Sequence, residues 1–243
     1  MPPTCDLVIP ALDEQANIEA LFDVLDTLPT GLIRRVVLAD NGSGDATAAL
    51  AAGRQAVVVH EPQRGYGAAC LKAIQFLREH DPPAIVAFLD ADLADDPAAL
   101  PAVLELIVHY GAELVIGCRP ALAEPGSLNM VQRFGNALAC SMMRLLGGFQ
   151  YRDIGPMRAA RWDALQRLRM RDRTWGWTVE MQMKAALLNM NIRQVDVPYR
   201  NRRGGRSKIS GTIRGATAAG AKIIATILEL WWRRTAVRRA AGR

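Results

Sequence analysis

Asp90 and Asp92 stand one residue apart just after the apolar run 85–89. Side chains alternate along a strand, so two carboxylates with this spacing project from one side of its end. Like charges held that close stay ionised only beside a cation or a cluster of donors. Hard oxygen ligands favour Mg2+ or Mn2+, which bind through one or two carboxylates together with substrate phosphates. The pair therefore points to metal-assisted handling of a phosphorylated substrate, with Asp90 and Asp92 as metal ligands.

Other polar residues fall at comparable places. Asp13 and Glu14 follow the apolar run Leu7-Val8-Ile9, and Asp40-Asn41-Gly42-Ser43-Gly44-Asp45 follows Val36-Val37-Leu38-Ala39. Gln63-Arg64-Gly65-Tyr66-Gly67 follows Val57-Val58-Val59. Asp45 reads as a helix N-cap. Gly65 and Gly67 at a helix start suit either phosphate approach or a simple turn. The chain has neither a G-x-G-x-x-G after its first strand nor a P-loop, which disfavours a dinucleotide site and a Walker-type NTPase. His60, His80 and His109 stand apart and read as surface or strand-end residues.

The elements that must position these groups alternate. Strands are expected at 7–9, 36–39, 57–59, 85–89 and 114–116, with helices between them at about 16–28, 45–54 and 66–80 and one opened by Pro97. Continuous apolar strands alternating with helices predict an α/β fold with a mostly parallel, doubly covered sheet. In such sheets ligands bind beyond the carboxyl ends of the strands, where the acidic loops fall. Further helices are predicted at about 128–146, 162–168 and 179–188, and a last strand near 192–197.

Half of the 243 residues are hydrophobic and 22% are charged, which excludes disorder, collagen and coiled coil. The net charge of +6 is unevenly spread: residues 200–243 hold twelve Lys or Arg and one acid, Glu229, and the rest of the chain is net −5. From Ile213, apolar or small residues Ala216, Gly220, Ile223, Ile224, Ile227, Leu228 and Trp231 recur at helical steps, with Arg214, Lys222, Glu229 and Arg233 opposite. This amphipathic helix suits an anionic membrane surface, the body of the protein or a homodimer interface. No transmembrane helix or signal peptide is expected. Cys5, Cys70, Cys118 and Cys140 include no C-x-x-C pair and read as buried free thiols of a reducing, cytoplasmic compartment.

Together the motifs carry a resemblance. Val8-Ile9-Pro10-Ala11-Leu12-Asp13-Glu14, Ala39-Asp40-Asn41-Gly42-Ser43, Arg64-Gly65-Tyr66-Gly67-Ala68-Ala69 and Leu89-Asp90-Ala91-Asp92-Leu93 resemble the nucleotide-sugar half of family-2 glycosyltransferases with the GT-A (Rossmann-like) fold. Val115-Ile116-Gly117-Cys118-Arg119, Arg133-Phe134-Gly135-Asn136, Asp153-Ile154-Gly155-Pro156-Met157-Arg158 and Arg206-Ser207-Lys208 resemble the dolichyl- or polyprenyl-phosphate hexose synthase branch.

The resemblance implies a single transferase domain over 1–209, followed by a basic helical tail over 210–243. It implies an inverting hexosyl transfer from a nucleotide-sugar donor to a polyprenyl phosphate, dependent on Mg2+ or Mn2+, at the inner face of a membrane. Pro10, Leu12, Glu14 and Asp40 would hold the base and ribose, with Gly65, Asp153 and Ser207 as further substrate contacts. Asp90 and Asp92 would bracket metal and diphosphate, and Arg119, Arg133, Arg206 and Lys208 would hold the two anionic reactants together. Two positions depart from the family pattern. Ala94 replaces a frequent metal-binding Gln, with Asp95 or Asp96 as substitutes, and Asp40-Asn41-Gly42-Ser43 replaces the usual D-D-G-S. Glu180, near Trp175 and Trp177, would serve as base if the acceptor were a soluble hydroxyl. The basic excess is thus read as phosphate and lipid handling. A nucleic-acid-binding module, the remaining class, lacks the aromatics interleaved on strands that such binding uses.

Overall fold

The structure, a computed structural model, describes residues 4–201 and 213–242. Arg206, Ser207 and Lys208 lie outside the described residues. Among the described residues, seven strands form one sheet: β1 (Cys5–Ala11), β2 (Arg35–Asp40), β3 (Val57–His60), β4 (Ile85–Phe88), β5 (Leu114–Cys118), β6 (Arg158–Arg161) and β7 (Ile192–Asp196), in the order β3-β2-β1-β4-β6-β5-β7. All neighbouring pairs are parallel except those of β6, which is antiparallel to both β4 and β5. β1, β4 and β5 are buried along their whole lengths, as expected for strands covered on both faces.

β6 is the strand absent from the sequence reading. Arg158-Ala159-Ala160-Arg161 has no β-branched residue, and its pairing comes from the neighbours on either side, Val86 and Leu114 both lying opposite Ala160. Helices α1 (Gln15–Asp26), α2 (Thr47–Gly53), α3 (Tyr66–Glu79) and α4 (Leu100–Val108) provide the crossovers. α2 starts later than expected: Ala46, not Asp45, stands at its N-cap, and the Asp45 carboxylate, one residue earlier, accepts from Thr47 N at 3.0 Å.

α5 (Met130–Gly147) opens on a capping box between Asn129 and Gln132 and stops at Gly148, whose φ of 82° an L side chain rarely adopts. α6 (Trp162–Leu168) and α7 (Trp177–Leu187) follow, and the chain closes with α8 (Ile213–Trp232) and α9 (Arg234–Ala241). α8 packs on the body: Ala219, Thr226, Ile227 and Leu230 are buried, while Ile223 and Trp231 are partly so. Lys222, expected on the solvent side, reaches Asp172 at 2.7 Å. No helix among the described residues is long and apolar enough to cross a membrane. All four cysteines are buried and free, and burial pushes the thiols of Cys5, Cys118 and Cys140 up to about 12.

Candidate active site

The carboxyl ends of β1, β2 and β4 meet where β1 has parallel neighbours on both sides and the chain order reverses, the place where α/β sheets bind ligands. A cleft of about 480 Å³ opens there, walled by Pro10, Leu12, Glu14, Asn41, Gly65 and Trp175, with Asp90 and Asp92 at its inner end. A second cleft of about 650 Å³ continues from the same two carboxylates toward Arg119, Gln132, Thr178 and Tyr199. Tyr66 and Trp175 also line both. The aspartates therefore sit at the junction of two adjoining spaces.

Local structure fixes that junction. Asp92 accepts from Ala94 N at 3.0 Å, and Leu93 between them adopts φ 59°, a left-handed conformation costly for a branched side chain. Behind the pair lies Arg158, fully buried in β6, which donates to the carbonyls of Gly155, Pro156 and Thr178 and lies 5.8 Å from the Trp177 ring centroid. Burial lowers the Arg158 pKa, opposed only in part by its neighbours Tyr66, Cys70 and Asp90. Burial, reinforced by the Asp90 charge, pushes the Tyr66 phenol well up.

Asp95 is a third acid in this field. It is buried and neither carboxylate oxygen has a hydrogen-bond partner. Desolvation holds its carboxyl well above the usual range; Arg119 opposes this, and the charges of Asp90, Asp92 and Asp153 add to it. Asp96 is committed elsewhere, capping Ala98 N and pairing with Arg200 at 2.7 Å. Among the described residues no group of three His, Cys, Asp or Glu is close enough to hold a metal by itself. Asp90 and Asp92 thus form a two-carboxylate donor set, which suits a hard cation that keeps water and substrate phosphates in its shell.

Arg119, directly after β5, is held by Asp153 through a two-pronged ion pair, Nε–Oδ2 at 2.8 Å and Nη2–Oδ1 at 2.9 Å. Asp153 also accepts from the backbone N–H groups of Arg119 and Ile154. Burial works against the Arg119 charge, but the Asp153 hydrogen bonds and field outweigh it and raise its pKa. The guanidinium lies 5.1 Å from the Tyr199 ring centroid, facing the second cleft as a fixed positive group.

Several sequence-derived expectations fall elsewhere. Asp153 is buried behind Arg119 and positions it, outside both cleft linings. Asp40 lies beneath the first cleft, held by Ser43 N at 3.1 Å and His60 at 3.2 Å, and its neighbour Asn41 forms the wall. Arg133 is exposed on the first turn of α5, donating to Leu128 O, and does not line either cleft.

Glu180 requires a correction. Its buried carboxylate accepts from Arg171 N and Asp172 N and pairs with Lys184 at 2.6 Å, on a face of α7 turned away from both clefts, so it is not placed to act as a base. Gly65 does line the first cleft, yet the first-turn N–H groups of α3 serve the protein: Gly67 donates to Thr174 O and Ala68 to Arg173 O. A methyl on Gly65 or Gly67 would overlap the backbone carbonyl of Arg173 or Asp172. These glycines admit a neighbouring chain segment, the one that delivers Trp175. The two tryptophans divide, Trp177 packing edge-on to Phe88 in the core while Trp175 faces the clefts. Tyr66 enters the sequence reading only within the motif at 64–69, and Gln132, Thr178 and Tyr199 are not singled out there. Gln132 and Thr178 stand on the first turns of α5 and α7 and Tyr199 follows β7, and single polar residues at such places give no spacing signal.

The model of the glycosyl transferase family 2 matches residues 6–169, well over half the chain. The chain belongs to glycosyltransferase family 2. An uncharacterized glycosyltransferase of Mycobacterium tuberculosis is 36% identical over 227 residues, covering 93% of this chain and 95% of the relative. A dolichyl-phosphate hexose transferase of Haloferax volcanii is 30% identical over 218 residues, covering 89% of this chain and 90% of the relative. Among solved structures, this glycosyltransferase is similar in fold to glucosyl-3-phosphoglycerate synthase from M. tuberculosis in complex with Mn2+, UDP-glucose and phosphoglyceric acid. That likeness has a TM-score of 0.73 at 22% identity and covers 95% of this chain and 80% of the other. The GT-A architecture expected from the motifs is thereby shown.

Proposed function

We propose that this glycosyltransferase moves a hexose from a nucleotide sugar to a polyprenyl (dolichyl-type) phosphate at a peripheral anionic membrane surface. In this reading 1–209 form the transferase domain and 210–243 the basic extension. The observation that carries the proposal is the junction: Asp90 and Asp92 between one cleft with apolar walls and another faced by Arg119. The 30% identity to a dolichyl-phosphate hexose transferase supports the acceptor class.

In the mechanism, Pro10, Leu12 and Glu14 receive the nucleoside and the donor diphosphate reaches toward Asp90 and Asp92. These two residues would hold Mg2+ or Mn2+, which when bound neutralises the departing diphosphate. Arg119, locked by Asp153, attracts and orients the acceptor phosphate. One of its oxygens forms the bond to the anomeric carbon as the bond to the nucleoside diphosphate breaks, with inversion as the family resemblance implies. A phosphate monoester is already anionic at neutral pH, so no strong base is required, consistent with Glu180 being engaged elsewhere.

A soluble phosphorylated acceptor is the second reading, favoured by the fold likeness to a synthase crystallised with phosphoglyceric acid. Purified protein given radiolabelled nucleotide sugars with a short-chain polyprenyl phosphate or with phosphoglycerate separates the two. Label transferred to the polyprenyl phosphate supports the proposal, and transfer only to the soluble acid overturns it.

A further inference from the structure

The apolar face of α8 that the sequence offers to a membrane is turned onto the body: Ile227 and Leu230 are buried and Trp231 is half-buried. Among the described residues, five of the ten large exposed apolar side chains lie along α5; the others are Val108, Tyr110 and Leu122, and Leu228 and Trp232 on α8. Phe134, Leu138 and Leu145 follow at four and seven residues, which places them on one stripe, and Met130 and Val131 extend it by a turn. Met130 is 81% exposed, Val131 66%, Phe134 71% and Leu145 82%. The buried side of the same helix, Ala139, Cys140 and Met143, faces the opposite way. α5 is apolar outside as well as inside, a pattern that monomeric surfaces seldom carry without a partner.

Charge selects the partner. α5 contains no Asp or Glu, and Arg133 and Arg144, three helical turns apart, run along one border of the stripe. α8, packed beside α5, exposes Leu228 and Trp232 and is followed by Arg233 and Arg234, the latter opening α9. A second copy laid on α5 would set arginine against arginine, since α5 has no acid to pair them and the one acid at the end of α8, Glu229, is engaged by Arg233 of the same chain at 3.2 Å. Anionic headgroups would meet the same arginines favourably, while the apolar stripe entered the acyl boundary, as interfacial helices do.

We infer that the outer face of α5, with the end of α8, docks on an anionic bilayer. The inference rests on the lipid-phosphate reading and deepens it. Gln132 at the start of α5 and Ala219 and Ile223 of α8 line the second cleft, so docking along these helices sets its mouth at the headgroup level. A lipid phosphate would then reach Arg119 while its chain stayed in the bilayer.

The test is co-sedimentation of the full chain with vesicles of phosphatidylcholine alone or mixed with phosphatidylglycerol, alongside light scattering and nucleoside-diphosphate binding. The wild type is expected to partition about tenfold more onto the anionic vesicles. The triple variant Val131→Ser, Phe134→Ser, Leu145→Ser is expected to lose about tenfold of that partitioning with its nucleotide affinity unchanged. Arg144→Glu, which leaves the apolar stripe intact, is expected to lose the preference for anionic over neutral vesicles. Equal sedimentation of wild type and triple variant overturns the inference. So does a wild-type dimer that ignores vesicles and that the triple variant dissociates, since the face is then a subunit interface. Vesicle binding without any nucleotide binding sustains the docking face and removes the transferase reading instead.

Discussion

Replacing Asp153 by Asn separates a positioning role from a substrate contact. The carboxylate accepts four hydrogen bonds, two on each oxygen: Arg119 N and Nε on Oδ2, Arg119 Nη2 and Ile154 N on Oδ1. An amide keeps one oxygen and presents N–H groups to the other pair, so two bonds are lost and both become donor–donor contacts. Arg119 and Asp153 are 14% and 1% exposed, so the uncompensated guanidinium stays in a poorly solvated place. Removing one partner of such a pair costs about 3–5 kcal/mol. In a domain of this size each kcal/mol lowers Tm by about 2–4 °C, which gives a drop of about 6–20 °C in a thermal melt. Arg119→Met combined with Asp153→Leu should recover much of it, because no buried charge is then left alone. In turnover assays Asp153→Asn should raise KM for the phosphate acceptor while leaving donor KM nearly unchanged, since Asp153 touches neither cleft. A melt within about 1 °C of wild type, well below that expected loss, together with an altered donor KM, would refute the reasoning.

Three further expectations follow from the same geometry. Glu180→Gln should lower the unfolding free energy read from urea melts by about 3 kcal/mol, for a broken buried pair with Lys184, and leave kcat within about twofold, because the carboxylate faces neither cleft. For Asp95, a native pKa raised by burial means that its stabilising contribution is complete below the unfolded value of about 3.9 and is lost as pH rises through the native value. Asp95→Asn should therefore match wild type near pH 4 and exceed it in stability at pH 8, as read from urea midpoints across that range. Gly67→Ala should cost about 1–3 kcal/mol of stability by forcing α3 off the Asp172 and Arg173 backbone, and should weaken donor binding as Trp175 shifts.

The parallel half of the fold was legible because continuous Val- and Ile-rich runs ending in turn residues can be little else in a covered sheet. Asp90 and Asp92 were legible by spacing and by their place after such a run. β6 was not, since Arg158-Ala159-Ala160-Arg161 is a strand only because β4 and β5 flank it. Nor was the division of labour among charges. Arg119 and Arg133 read alike in sequence, but one follows β5 and is clamped by Asp153 while the other stands on the outside of α5. Glu180 was misread for a similar reason: the chain before α7 turns back so that Arg171 N and Asp172 N satisfy its carboxylate, and spacing says nothing of that.

The central claim is that Asp90 and Asp92 mark the meeting point of donor diphosphate and acceptor phosphate. Calorimetric titration of nucleoside diphosphates into the full chain, with and without Mn2+, tests it most directly. The account predicts binding at least about tenfold tighter with Mn2+ for the wild type, and no Mn2+ dependence for Asp92→Ala with its fold intact. Mn2+-dependent binding that survives in Asp92→Ala would contradict it.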